Sequence, residues 1–146
     1  MAEGIERTSQ DLTEQARTLF TLDRYATATT GVEIVSAGEH TAVCQLQVGD
    51  RHLNAAGIVM GGALFTLADM AFSVAANTQI LAKGGQGLWL SLDSQIRFLR
   101  AGKKERLTAT ARCIKSGRTT CLYNVDITNE QNILIATIQS TGIRTI

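Results

Sequence analysis

The chain has 146 residues, a hydrophobic share of 45%, a charged share of 18% and a formal net charge of +1. This length suits one domain with a substantial core, and we expect residues 1–146 to form a single domain. The nearly neutral charge indicates neither nucleic acid nor a membrane surface as a partner.

The first part of the chain is predicted to be helical, with Thr8 or Ser9 as the N-cap. The apolar residues that share one face at helical spacing are Leu12, Ala16, Leu19 and Phe20. We expect this helical segment to continue, after a break, to Thr27 and to end at Gly31. Residues 1–30 would then pack on the rest of the domain.

The remaining pattern predicts two strands, one long helix and about four further strands. The predicted strands are 32–36, 41–48, 88–98, 107–114, 119–128 and 133–143. The helix should run from about Gly61 to about Leu81, because the glycine-rich residues 83–87 would stop it. Its apolar stretch, 63–76, is too short to span a bilayer. Tight turns between the later strands predict an antiparallel sheet that curls around the helix, with a partner subunit completing its burial.

The reactive side chains outside this helix give no sign of a metal site or of disulfides. Cys44, Cys113 and Cys121 form no closely spaced pair, so we expect free thiols in a reducing cytoplasm. The polar N-terminus does not resemble a secretory signal. Neither His40 nor His52 has metal-ligand spacing with other candidate ligands, and both are expected in exposed loops.

Asp69 is the one ionisable residue between Leu53 and Ala82. A helix that is apolar on nearly every face belongs inside a fold, and carboxylates are rarely buried there without a partner or a function. Thr66, Ser73 and Asn77 lie along the same side and would form a polar stripe with it. The stripe is either a structural seam, satisfied within itself, or part of a reactive site.

Residues 52–62, followed by Leu67-Ala68-Asp69, resemble the hotdog-fold acyl-CoA thioesterases of the PaaI type. The pattern of that family is Asn-x-x-Gly-x-x-His-Gly-Gly, then four residues, then Leu-x-Asp. Residues 90–93 and 115–119 are similar to its later strands. The resemblance implies an α+β hotdog fold with a curved antiparallel sheet of about five to six strands. It also implies an acyl-CoA substrate, of which coenzyme A is a part, no cofactor, and a homodimer or homotetramer.

The resemblance implies a set of site residues. Those implied in catalysis are Asp69, Gly61, Asn54 and Ser91. Those implied in substrate binding are Met60, Gly62, His52, Thr66, Gly117, Arg118 and Thr119. Asp69 would act as general base or nucleophile, and the amide of Gly61 would bind the thioester oxygen. In a dimer, Asp69 of one subunit would face Asn54 and Gly61 of the other.

Met60 departs from the family pattern, because it stands where the commonest sequence has His. A thioether cannot donate a strong hydrogen bond or transfer a proton. We expect Met60 to pack against the acyl or pantetheine arm instead. His52 could take over part of the role of the missing His.

Two other functions are compatible with parts of the sequence. One is a non-catalytic hotdog module that binds or senses acyl-CoA. The other is a hotdog dehydratase or hydratase, which needs a His paired with an acidic residue on the helix, and Met60 argues against it. The acyl group stays open between aryl and short or medium aliphatic chains.

Overall fold

The computed structural model describes residues 8–145. Residue 146 and residues 1–7, part of the predicted N-terminal helical segment, lie outside this range. The helices are α1 (Ser9–Leu19) and α2 (Gly61–Ala82), with short 3₁₀ turns at Phe20–Leu22 and Asp50–His52 and a π-helix at Tyr25–Thr30. The strands are β1 (Val32–Gly38), β2 (Thr41–Gln47), β3 (Trp89–Phe98), β4 (Arg106–Ser116), β5 (Thr120–Thr128) and β6 (Leu134–Arg144). These bounds lie within two residues of the predicted strands.

The six strands form one sheet in the order β1-β2-β4-β5-β6-β3, and every neighbouring pair is antiparallel. Helix α2 packs against all six strands, so the sheet curves around it as predicted. Strands β1 and β3 are the two edges. Helix α1 packs against β1, whereas β3 is exposed over most of its length.

Helix α2 is buried because apolar side chains occupy nearly every side of it. By length and composition alone, its 22 residues are enough to cross a membrane. The apolar stretch considered in the sequence, 63–76, is shorter than that and too short to do so. However, 61% of the most apolar window of the helix is buried inside the fold, as is typical of a core helix. The helix ends where Lys83 donates its amide to Gln79 and Ile80, and Gly84 then adopts a φ of +66°.

The N-terminal segment consists of three short helical pieces. Thr8 caps α1 through a reciprocal capping box with Asp11, so the first of the two predicted caps is confirmed. The break falls at the 3₁₀ turn, and the π-helix then extends three residues beyond the predicted end at Thr27. Gly31, with a φ of +91°, ends it by donating its amide to Ala26 O at 3.1 Å. The left-handed conformation favours glycine at this position.

The core lies between α2 and the sheet. Phe72 of the helix meets Tyr123 of β5 edge-to-face, with ring centroids 5.4 Å apart. Gly142 of β6 permits this close packing, because a β-carbon there would stand 2.6 Å from Cys121 Sγ and 3.0 Å from Phe72 Cζ. The three cysteines are free thiols, as predicted.

Candidate active site

Helix α2 presents the Asp69 carboxylate to a cavity of about 380 Å³. The cavity lies between one side of the helix and the chain just before and within the π-helix. Its lining residues are Asp23, Arg24, Tyr25, Ala26, Phe65, Thr66, Asp69, Met70 and Ser73. We call this space the Asp69 cavity. Polar and charged side chains make up more than half of this lining, and Ala26, Phe65 and Met70 are its wholly apolar members.

The Asp69 carboxylate has no polar partner within residues 8–145: it accepts no hydrogen bond and forms no ion pair. Burial raises the pKa of this carboxyl above its ordinary value, and the like charge of Asp23 raises it further. Both effects disfavour the ionised form. A carboxylate with raised proton affinity in a cavity is suited to general-base chemistry.

The predicted polar stripe is confirmed for three of its four members. Thr66 and Ser73 line the same cavity as Asp69, and the Thr66 hydroxyl donates to Gly62 O at 2.9 Å. Asn77 is a correction: it is buried, and its amide binds the backbone of Trp89 twice, at 2.8 and 2.9 Å. These two bonds join the end of α2 to the start of β3. The stripe is therefore not a seam satisfied within itself, because Asn77 binds β3 and Asp69 has no hydrogen-bond partner in the described residues.

A second cavity, of about 420 Å³, lies at the N-terminus of α2. Its lining residues are Asn54, Ile58, Val59, Gly61, Leu64, Phe98, Leu99, Arg100, Ala101 and Gly102. We call it the Gly61 cavity. Gly61 and Asp69 are eight residues apart, roughly 12 Å along the helix axis. One chain therefore presents Asp69 and Gly61 to two different cavities.

The amides of Gly61 and Gly62 have no acceptor in the part of the chain that the structure describes. The first N–H groups of a helix lack intrahelical acceptors, and here no side chain caps them. Such amides can bind a developing negative charge on a carbonyl oxygen. Phe98 covers Gly61 so closely that a β-carbon there would stand 2.8 Å from Phe98 Cζ.

Asn54 holds the loop in front of the helix. Its carboxamide oxygen accepts the amides of Ala56 at 2.9 Å and Ile58 at 3.3 Å, and its carbonyl accepts the Gly57 amide at 2.9 Å. Its Nδ2 group makes no hydrogen bond within residues 8–145. The side chain thus combines a turn-forming oxygen with a free donor beside the Gly61 cavity.

His52 is not the exposed loop residue that the sequence suggested. Only 6% of it is exposed, and both ring nitrogens bind this chain's own backbone. Nδ1 accepts the Gly49 amide at 2.9 Å, and Nε2 lies 2.6 Å from Thr30 O. The ring therefore has no free nitrogen for substrate, and its geometry is structural. Its carbonyl also accepts the Met60 amide at 2.8 Å.

Unlike His52, Met60 and His40 are both at least partly exposed to solvent. Met60 is 58% exposed at the start of α2, so a single chain leaves more than half of this residue open to solvent. His40 is only partly exposed, because its Nδ1 lies 3.0 Å from the Tyr123 hydroxyl. His40 lies in the turn that the sequence predicts, with 41% of its side chain exposed.

The remaining predicted residues are not brought to either cavity. Ser91 is exposed on β3, where its hydroxyl contacts that of Ser94 at 2.9 Å. Gly117, Arg118 and Thr119 form the turn that follows β4. The Gly61 cavity, which Val59 also lines, lies near the other end of β4, because its lining residues 98–102 precede the start of that strand. The 11 residues of β4 span roughly 35 Å. Within one chain these turn residues and Gly61 are therefore at opposite ends of the sheet.

The sequence did not indicate Asp23 and Phe98 as site residues. Asp23 falls between two helical pieces, and nothing in its spacing relates it to Asp69, 46 positions later. In the sequence, nothing distinguishes Phe98 from the other apolar residues of the predicted strand 88–98. The described residues contain no group of three or more His, Cys, Asp or Glu side chains that could hold a metal ion.

Comparisons with known proteins agree with this architecture. The family model described as Thioesterase superfamily matches residues 56–136. The acyl-coenzyme A thioesterase PaaI of Escherichia coli (strain K12) is 37% identical over 107 residues, which cover 73% of this chain and 72% of that protein.

Two solved structures extend the likeness to the fold. The structure of the E. coli PaaI protein superposes with a TM-score of 0.85 at 31% identity, over 96% of this chain and 97% of that one. A hypothetical thioesterase from Streptococcus pneumoniae TIGR4, solved with coenzyme A, gives a TM-score of 0.75 at 29% identity, over 86% and 96%. The predicted hotdog fold and the enzyme class, a thioester hydrolase, are confirmed. This chain belongs to the thioesterase superfamily.

Proposed function

We propose that this protein hydrolyses the thioester of an acyl-CoA. The observation that carries the proposal is the Asp69 carboxylate, which is partly buried in a cavity and has no hydrogen-bond or ion-pair partner within residues 8–145. The free amides of Gly61 and Gly62 supply the complementary site for the carbonyl oxygen. The relative named PaaI and the structure containing coenzyme A support the same substrate class.

The reaction needs one water and no cofactor. As a general base, Asp69 takes a proton from water while the water oxygen attacks the thioester carbon. The negative charge that forms on the carbonyl oxygen is stabilised by the Gly61 amide. The carbon–sulfur bond then breaks, and the thiolate of coenzyme A leaves with the proton held by Asp69. As a nucleophile, Asp69 would attack the carbon itself, break the carbon–sulfur bond with release of the coenzyme A thiolate, and form an anhydride that water hydrolyses.

We propose that a complete site forms between two subunits. Asp69 and Gly61 line different cavities of one chain, so a second copy is needed to place Gly61 and Asn54 opposite Asp69. The free edge strand β3 offers the surface for pairing, with Leu90 and Leu92 exposed by 53% and 60%. Exposed apolar edge strands pair readily with another chain.

The subunit arrangement is tested by light scattering. We expect a dimer or tetramer at micromolar concentration, and dissociation in Leu92→Lys, because a charge on the edge opposes pairing. Leu22→Lys is the matched control, since Leu22 is 76% exposed and lies away from β3. A stable wild-type monomer would refute the shared site.

The phosphates of coenzyme A require cations. Arg100 lines the Gly61 cavity, and its Nη1 donates to Leu134 O at 2.8 Å. Gly117, Arg118 and Thr119 can reach the nucleotide only from another subunit. Because the cysteines are free and the net charge is nearly neutral, we propose that the enzyme is cytoplasmic and has no nucleic-acid or membrane partner.

Release of free coenzyme A from a panel of aryl and aliphatic acyl-CoAs tests the activity. We expect Asp69→Ala to lower kcat by about two to four orders of magnitude, and Asn54→Ala to cost less. Glu39→Gln, on the exposed turn after β1, removes a carboxylate far from both cavities and serves as control. Full turnover by a folded Asp69→Ala protein would exclude the proposed role. Binding of acyl-CoA without turnover by the wild type would favour the non-catalytic module instead.

A further inference from the structure

The chain around Asp23 forms a fixed wall of the Asp69 cavity. The Asp23 amide donates to Phe20 O at 3.1 Å, and the Asp23 carbonyl accepts both the amide and the hydroxyl of Thr27 at 3.0 Å. These three bonds hold the residue where the 3₁₀ turn meets the π-helix. The backbone of Asp23 is therefore held beside the cavity by hydrogen bonds, and its side chain lines the cavity.

The other end of this wall is also anchored. The π-helix closes at Gly31, and the carbonyl of Thr30 is bound by His52 Nε2 at 2.6 Å and by Arg51 Nη2 at 3.2 Å. The wall is thus tied to the loop that precedes α2. Movement of Asp23 away from Asp69 would require several of these bonds to break.

Two carboxylates face the same cavity without a cation bound to either. Asp23 and Asp69 both line it, and within residues 8–145 neither forms an ion pair. Arg24 and Tyr25 are the other ionisable residues of the wall, and the described structure gives Arg24 no ion pair. Helix α2 contributes no ionisable residue to the cavity besides Asp69.

We propose that Asp23 is a positioning residue for Asp69: its negative charge, held on the cavity wall, makes the Asp69 carboxylate a stronger base. This inference rests on the proposed function of Asp69 as the group that takes a proton from water or attacks the thioester. A like charge nearby favours the protonated form of a carboxyl group. Basicity nearer the working pH increases the rate of proton abstraction.

The electrostatics of the cavity agree with this role. After burial, the charge of Asp23 is the second cause that raises the pKa of Asp69. Although Asp23 as a whole is exposed, its place at the cavity takes enough water from its carboxyl to raise its pKa as well. A partly desolvated charge acts on its neighbour through less screening than a charge on the open surface.

A pH profile of kcat/KM separates this role from a structural one. We expect Asp23→Asn to move the acidic limb to lower pH, so that the ratio of activity at about pH 5 to plateau activity rises about twofold or more. Plateau kcat should fall by about two- to tenfold, because Asp69 becomes a weaker base. Asp23→Glu, which keeps the charge, should retain the wild-type limb. Glu39→Gln should alter neither quantity.

Titration of the Asp69 carboxyl by carbon-13 NMR provides a readout that does not depend on turnover. The chain has six aspartates, and Asp69→Asn assigns the signal. A midpoint that moves down in Asp23→Asn but not in Glu39→Gln supports the proposal. An unmoved midpoint in a folded Asp23→Asn protein, or an equal shift in both variants, overturns it. If the wild type hydrolyses no acyl-CoA while the midpoint still shifts, the coupling stands and only the proposed function fails.

Discussion

The ring of Phe98 lies against the Cα of Gly61, at the point where α2 begins. A β-carbon at Gly61 would stand 2.8 Å from Phe98 Cζ and 3.2 Å from Cε1. Strand β3 therefore reaches the helix N-terminus with no room for a side chain between them. Close contact keeps the first amides of α2 at the surface of the Gly61 cavity.

Gly61→Ala should displace the Phe98 ring into that cavity. We expect kcat/KM to fall about tenfold or more, because the thioester oxygen loses its place at the amide. Phe98 is 55% exposed and can rotate, so the free energy of unfolding should fall by only about 1 kcal/mol. Gly62→Ala is the stability comparator, since no atom lies within 4 Å of its β-carbon. Equal unfolding curves together with full turnover in Gly61→Ala would contradict this contact.

Asp69→Asn should change how stability depends on pH. Burial, followed by the charge of Asp23, raises the pKa of Asp69 above its ordinary value of 3.8. Between the ordinary and the raised pKa the folded protein holds more protons than the unfolded chain, so the free energy of unfolding falls as pH rises. We therefore expect Asp69→Asn to be more stable than the wild type at neutral pH.

That stability difference should disappear as pH falls below the ordinary pKa of an aspartate, because both states are then protonated. Urea unfolding at a series of pH values measures it. Asp126→Asn would be a poor control, since Asp126 accepts the Thr137 hydroxyl at 2.8 Å. Glu39→Gln, on the exposed turn after β1, suits better. A difference that stays constant across the range would show that ionisation is not its cause.

His52→Leu should destabilise the fold by about 1–3 kcal/mol, because it leaves the Gly49 amide unsatisfied and removes the shorter of the two bonds to the Thr30 carbonyl. The comparator is Arg51→Gln, which removes the longer, partly buried bond to the same carbonyl. We expect that change to cost less than about 1 kcal/mol. Chemical unfolding of both variants measures the two losses. Similar small losses would mean that the His52 ring does not hold the wall to the loop.

Met60→Ala should raise KM more than it lowers kcat. The thioether is 58% exposed in one chain and stands beside the Gly61 amide, where the pantetheine or acyl arm would cover it. Loss of that apolar contact is worth roughly a tenfold change in KM. Met60→His should do little, because the side chain at this position is largely exposed and makes no hydrogen bond in the described residues. A collapse of kcat at constant KM would instead show that the thioether acts in the transition state.

Cys44 should resist thiol reagents in the folded protein. It has no exposed surface, and burial raises the pKa of its thiol to about 12. The thiolate is the reacting form, so labelling with a disulfide reagent at about pH 8 should spare Cys44 until the protein unfolds. Mass spectrometry of native and denatured samples locates the labels. Modification of Cys44 at the rate of the partly exposed Cys113 would show that this part of the sheet opens.

Much of the fold could be predicted because it depends on short stretches of sequence. The all-round apolar pattern of α2 requires burial, and the alternation of β4 to β6 with tight turns requires antiparallel neighbours. Gly31 could be recognised as a helix end because the left-handed backbone it adopts strongly favours glycine. Asp69 was recognisable because it is the one ionisable residue in an apolar stretch, whereas Gly61 was indicated by the family resemblance.

Tertiary structure alone decided which groups meet. Asp23 reaches the Asp69 cavity only because the π-helix folds back across α2. His52 became buried because the carbonyl of Thr30 lies within reach of its ring. The separation of Asp69 and Gly61 into two cavities follows from their places on one rigid helix and from what packs on each side. Such contacts join residues far apart in the chain, so they are fixed by packing in three dimensions and leave no periodic trace in the sequence.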